Sequence, residues 1–249
     1  MPSTLRTVIT GTTSPSASFF NSRCATVTGA LVAHCSPLDP LNDDLLQDIE
    51  GAGIPVIHIQ HFRRQLPDED YILPHYEHAG YMGAVRLMMA GYDRVFLMGT
   101  MVSAPHFRLI ERGFATAMED HRDGYDREKH MFDVKPGLGT KPEVERSVRK
   151  FAGCFARSTG LLCVGSGIGD LVGPIYGEMG LEMPEELGLL GVSLVGAEDE
   201  TTDTLEFDRR DILHRVVAAA TRRPFESIKE LVRPRKVLRG TVRETGHAD

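Results

Sequence analysis

The chain has 249 residues, 41% hydrophobic and 25% charged, values that suit either one large α/β body or two lobes of roughly 100–150 residues each. Its net charge is −7 and it carries no long basic run, which argues against nucleic-acid binding by its own surface, because phosphate contacts need clustered Lys and Arg. No stretch approaches the ~18 apolar residues of a membrane helix, and MPSTLRTVITGTT lacks the apolar core of a signal peptide, so a cytoplasmic setting without a membrane partner is expected.

Strands and helices alternate along the chain. Leu5–Ile9 reads as a first strand and Ser16–Ser22 as a short helix; Val27–Ala33 then reads as a buried strand. Asn42 caps a helix whose face is Leu45, Leu46 and Ile49, with Asp43 and Asp44 at its positive end. Pro55–Gln60 is the next strand. Tyr81–Ala90 is a helix with Tyr81, Met82, Val85, Met88 and Met89 inward, stopped by Gly91. Val95–Met98 is a strand and Arg108–His121 a helix with Leu109, Ile110, Phe114, Ala117 and Met118 inward. Arg122–Gly139 reads as a polar surface loop. Thr140-Lys141-Pro142-Glu143 is a capping box opening a helix with Val144, Val148, Phe151, Ala152 and Phe155 inward. Leu161–Val164 is a strand, and Ile168–Met179 a helix in which Gly173-Pro174 predicts a kink or a late start. Leu189–Val195 is a strand that ends at Gly196 and releases Glu198, Asp199 and Glu200 into a loop. Asp208 caps Arg209–Arg222, with Ile212, Val216 and Ala219 inward.

This order predicts parallel sheets covered by helices. In such sheets ligands sit outside the carboxyl ends of the strands, where the acidic loop at 198–200 falls. The cysteines, 24, 35, 154 and 163, form no CxxC pair and have no zinc spacing; Cys35 and Cys163 read as small core residues. His58 and His61 lie on or just after a strand, where i and i+3 point to opposite faces. With His75 and His78 they form two H-x-x-H pairs that read as structural, and no metal is expected. The basic segment Arg233–Arg243 reads as a solvated strand edge rather than a phosphate site.

Several segments resemble the lactose-repressor-like (LacI/GalR) regulators. These are His75–Arg94 (HYEHAGYMGAVRLMMAGYDR), Arg112–Met118 (RGFATAM), Gly180–Pro184 (GLEMP) with Val192–Gly196 (VSLVG), and Arg239-Gly240-Thr241. They run in family order over most of the chain. The resemblance implies two Rossmann-like parallel-sheet lobes joined by crossovers, the periplasmic-binding-protein type I arrangement, with the first lobe shortened. It places residues 1–99 and 203–232 in the first lobe and 100–202 and 233–249 in the second. It implies a small effector between the lobes, no catalysis, no cofactor and a homodimer. DNA would be read only through a helix-turn-helix, and none precedes residue 27.

Against the family pattern, His75 stands where an Asp precedes the first-lobe helix, and Ser166 and Glu198 replace two further Asp residues. Ile110 replaces an Arg, removing a bidentate clamp on vicinal hydroxyls, with Arg108 nearby. The expected ligand contacts are His75, Arg108, Ser166, Glu198 and Asp199, with His75 and Glu198 on opposite lobes and a sugar-like or other polar metabolite as effector. Two rivals remain. A transport solute-binding protein would need an export signal. A nucleotide-dependent enzyme would use Gly165-Ser166-Gly167-Ile168-Gly169-Asp170, but Asp170 stands where the dinucleotide fingerprint needs its third glycine.

Overall fold

Parallel β-α alternation governs the computed structural model of the protein, which describes residues 31–34, 51, 56–59, 70–100, 102–122, 124–135, 141–152, 158–165, 168–193, 201–221 and 226–244. In chain order the elements are β1 (Leu31–His34), β2 (Val56–Ile59), β3 (Asp70–Pro74), α1 (Tyr76–Met89), β4 (Arg94–Thr100), α2 (Pro105–His121), the single turn α3 (Arg127–His130) and β5 (Met131–Lys135). There follow α4 (Lys141–Ala152), β6 (Thr159–Val164), α5 (Ile168–Glu178), β7 (Leu187–Ser193), β8 (Asp203–Glu206), α6 (Arg209–Thr221), β9 (Lys229–Val232) and β10 (Arg235–Val237). They fall into two compact units, one of Met1–Pro74 with Arg209–Val232, the other of His75–Asp208 with Arg233–Asp249.

The first unit holds a four-stranded sheet in the order β1-β2-β3-β9, parallel throughout. Helix α6 packs on β3 and β1 and buries Ile212, Val216 and Ala219, the face its periodicity predicts. Asp70 Oδ1 accepts Ser227 Oγ and Ile228 N, each at 2.7 Å, and so ties the start of β3 to the start of β9.

The second unit holds a six-stranded sheet, β10-β8-β7-β6-β4-β5, parallel except for β10. β6 and β7 are buried along their whole length, as central strands covered on both faces must be. One core lies under α4 and α5, where Phe96, Met98, Leu161, Cys163 and Leu189 meet Val148, Val172, Ile175 and Tyr176. Cys163 is the small core residue its apolar run implies. Helix α5 runs through Pro174 from Ile168, so it starts on time.

Helices α1 and α2 meet differently. A Cβ on Gly80 would overlap the Ile110 carbonyl, and one on Gly113 would overlap the Glu77 carbonyl, so the two backbones touch. This overturns the expected inner face of α1. The helix starts five residues early, at Tyr76, and buries Ala79, Gly80, Gly83, Ala84 and Leu87, leaving Met89 69% exposed. Backbone contact selects small residues, whereas periodicity of large apolar ones had pointed to the methionines.

Three other expectations change. Residues 122–139 are not one surface loop, because α3 and β5 lie within them, β5 pairing with β4 at the sheet edge. The boundary expected at residue 99 falls at Pro74/His75, since β4 joins the second sheet and α1 packs on α2; β8 also belongs there rather than to the first lobe. The strand expected at 189–195 spans Leu187–Ser193. Leu5–Ile9, Ser16–Ser22, the helix capped by Asn42, Cys24, Cys35, Cys154 and His61 lie outside the described residues.

Candidate functional site

The carboxyl ends of the second sheet are built around small residues and rings. At the end of β4, Gly99 admits Phe107 of α2, whose ring would overlap any side chain there. At the end of β6, Gly165 has φ +123°, and a Cβ would stand 3.0 Å from Thr100 Oγ1 and 3.2 Å from Ile168 Cδ1. Glycine alone suits that turn, which lets the backbone of β6 and β4 close together.

Three rings gather at the same end. Tyr76 opens α1, His106 lies in the first turn of α2 and Phe207 follows β8. The Tyr76 ring is 5.8 Å from His106 and 5.3 Å from Phe207, edge-on to the latter. All three are buried. Burial in this apolar setting lowers the His106 pKa to about 4, so the imidazole is neutral at pH 7. Burial also raises the Tyr76 phenol.

His75 caps α1, with its Nδ1 accepting from His78 N at 3.2 Å. That bond places the proton of the neutral ring on Nε2. The His75 and His78 rings are 5.3 Å apart. The His75 pKa is lowered, first by burial and then by His78; Glu77 opposes the shift and Arg233 adds to it. His78 is lowered by burial and by Arg233. The countercharge, Glu77, is held by Arg112, Nε donating to Oε1 at 2.8 Å and Nη2 to Oε2.

Arg108 is exposed in the first turn of α2, its amide donating to Ala104 O at 3.1 Å. The structure therefore puts His75 and Arg108 on helices joined by the Tyr76–His106 ring contact. Ser166, Glu198 and Asp199 lie outside the described residues. The expectation that His75 and Glu198 come from opposite lobes is overturned on the His75 side. His75 belongs to the second unit, whose sheet also holds β7 and β8, the strands that precede and follow residues 198–199.

Sequence reasoning missed Tyr76, His106, Phe207 and Arg233. β3 is short and ends in Pro74, so nothing marked Tyr76 as a helix start. His106 and Phe207 carry no motif of their own. The basic segment is only partly a solvated edge. Arg235 pairs with Asp208 and Glu206, both at 3.4 Å, and Arg239 with Glu206 at 3.2 Å. Asp170, in the first turn of α5, accepts from Thr201 Oγ1. A carboxylate therefore occupies the helix end where a dinucleotide would place its pyrophosphate.

No protein-family model matches the sequence, and no curated relative matches it. The fold is that of bacterial transcription regulators. A PurR family regulator from Vibrio parahaemolyticus superposes with a TM-score of 0.70 at 15% identity, covering 90% of this chain and 80% of that one. A transcription regulator from Lactobacillus plantarum gives 0.67 at 14% identity, covering 86% and 81%. A sugar-binding LacI family regulator from Escherichia coli, complexed with phosphate, gives 0.65 at 12% identity, covering 86% and 77%. The periplasmic-binding-protein-like α/β fold expected from the sequence is thus the fold observed.

Proposed function

We propose that this chain is the effector-binding part of a transcription regulator. It holds a small polar metabolite, without catalysis, among His75, Arg108, Ser166, Glu198 and Asp199. DNA would be contacted through a helix-turn-helix segment that is not among these 249 residues, and the chain would work as a cytoplasmic homodimer. The observation that carries this reading is the run of exposed or half-buried basic groups, His75, His78, Arg108 and Arg233, on a parallel sheet's ligand-binding side in a regulator fold. Their described surroundings leave Arg108 and Arg233 without a side-chain partner among the described residues. The sugar-binding neighbour supports a polar metabolite as the effector class.

Such a ligand stabilises the native state by about 2.7 kcal/mol at a hundredfold excess over Kd. A thermal-shift screen of sugars, sugar acids, phosphates and nucleosides tests the reading. A specific metabolite is expected to raise Tm, and Glu198→Ala to abolish that rise while leaving the Tm of the unliganded protein unchanged. An unchanged ligand response in that variant removes Glu198 from the site. Failure of every class to raise Tm contradicts the reading.

A further inference from the structure

Pro74 and Val232 are the last pair of the parallel β3–β9 ladder, so His75 and Arg233 leave it as neighbouring residues. His78 follows one turn along α1, its ring 5.3 Å from that of His75. Two imidazoles and a guanidinium therefore meet at the amino end of a 14-residue helix, where the helix dipole adds positive potential. Among the described residues, the charged groups that act on the two imidazoles are His78, Arg233 and Glu77 on His75, and Arg233 on His78. Glu77 acts on His75 but is shared with Arg112, which engages both of its oxygens. Two residues beyond Arg233, Arg235 does have two carboxylate partners. Among the described residues, Arg235 thus has carboxylate partners and Arg233 has none.

We propose that His75, His78 and Arg233 form an oxyanion site that takes the phosphate group of a small phosphorylated metabolite. The proposal deepens the effector reading and rests on it through His75, which both share. The donors match the ligand in number. The His75 cap bond leaves Nε2–H free to donate, His78 offers a ring N–H, and Arg233 offers its planar fork. A phosphate monoester presents three terminal oxygens and, above its second pKa near 6, close to two negative charges; a carboxylate presents two oxygens and one charge. Charge-assisted bonds of this kind are the strong ones. The sign of the pH dependence follows. Without anion, both imidazoles are held below their ordinary range, His75 by burial and by repulsion from His78 and Arg233, and His78 by burial and by repulsion from Arg233. A bound dianion reverses the repulsion, so binding takes up protons. Affinity rises as pH falls from 8 toward 6.5 and levels off once phosphate itself gains a proton.

The test is NMR of the full chain with ¹⁵N-labelled histidine, titrated with inorganic phosphate and, separately, with acetate. Phosphate is expected to move the His75 and His78 ring signals saturably and to raise their apparent pKa values. Arg233→Gln or His78→Gln is expected to weaken phosphate roughly tenfold or more. Thermal melts of both variants confirm that they fold. A drift no larger than acetate gives, or equal phosphate affinity in folded Arg233→Gln, overturns the proposal. A screened metabolite that stabilises wild type and Arg233→Gln equally without moving either ring also overturns it, and leaves the effector reading standing. A saturable phosphate response with no metabolite stabilising the chain upholds the oxyanion site and counts against the effector reading.

Discussion

The two ends of the second unit's sheet are built on opposite plans. At the amino end most of the polar groups satisfy one another, although Arg86 Nη1 and Arg243 Nε are buried without a hydrogen-bond partner among the described residues. Asp203, buried at the start of β8, accepts the backbone N–H groups of Arg239, Gly240 (2.8 Å), Thr241 (3.3 Å) and Val242 (3.1 Å). Thr241 Oγ1 donates to Leu189 O and accepts from Asp203 N, both at 2.7 Å. Arg243 lies 4.4 Å over the Tyr92 ring and donates to Gly91 O and Glu185 O. Arg86 and Arg122 each donate to a backbone carbonyl as well. At the carboxyl end, His75 and His78 are both held below the ordinary imidazole range by burial first and by neighbouring positive charge, and Arg108 and Arg233 have no side-chain partner among the described residues. One end is closed by its own chain, and the other presents the groups to which the proposed ligand site is assigned.

Substitutions break or sharpen that contrast. The largest effect is expected at the closed end. Asp203→Ala strands four backbone donors and costs about 4 kcal/mol in urea unfolding; a loss under about 1 kcal/mol would mean the closing segment is not held by that carboxylate. Next comes acid sensitivity at the ring cluster. The folded pKa of His106, about 4, lies below the ordinary value of 6.5, so the unfolded chain binds the proton first. Stability is full above pH 6.5 and falls by about 3 kcal/mol as pH drops toward 4. The lowered His75 and His78 act in the same direction. His106→Gln is expected to flatten this slope, measured by chemical denaturation at several pH values; an unchanged slope assigns it elsewhere. Gly113→Ala forces the α1–α2 backbones apart and costs about 2–3 kcal/mol, read as a lower Tm. The smallest effect lies at the open end. His75→Ala loses a helix cap and costs about 1 kcal/mol, whereas His75→Asn restores a capping oxygen and is close to neutral for stability while removing the imidazole. Equal melting of the two variants would show that the cap contributes nothing.

Much of the second unit was legible in the sequence. Thr159–Val164, Ile168–Glu178 and Leu187–Ser193 carry apolar runs bounded by glycine and acidic residues, and such runs name central strands and covering helices. β3, β5, β8, β9 and β10 escaped because charged residues break their short apolar runs, whereas the equally short β1 and β2 lie in unbroken ones. The face of α1 escaped for a different reason: it is a stripe of Gly and Ala, invisible to any search for large apolar side chains. The lobe boundary followed from that miss, because β4 reveals its sheet only through its pairing with β6. At the candidate site, His75 and Arg108 were found through motif position, while the Tyr76–His106–Phe207 rings come from three separate segments that only the fold unites.

The most direct test maps a stabilising metabolite onto the second unit by amide NMR shifts. Saturable perturbations are expected at the strand carboxyl ends, near Thr100, Gly165, Ser193 and Phe207 and at His75 and His78, with none at Asp203 or Arg239–Val242. Perturbations centred on the closing segment, with the strand carboxyl ends unmoved, would contradict the proposed ligand site.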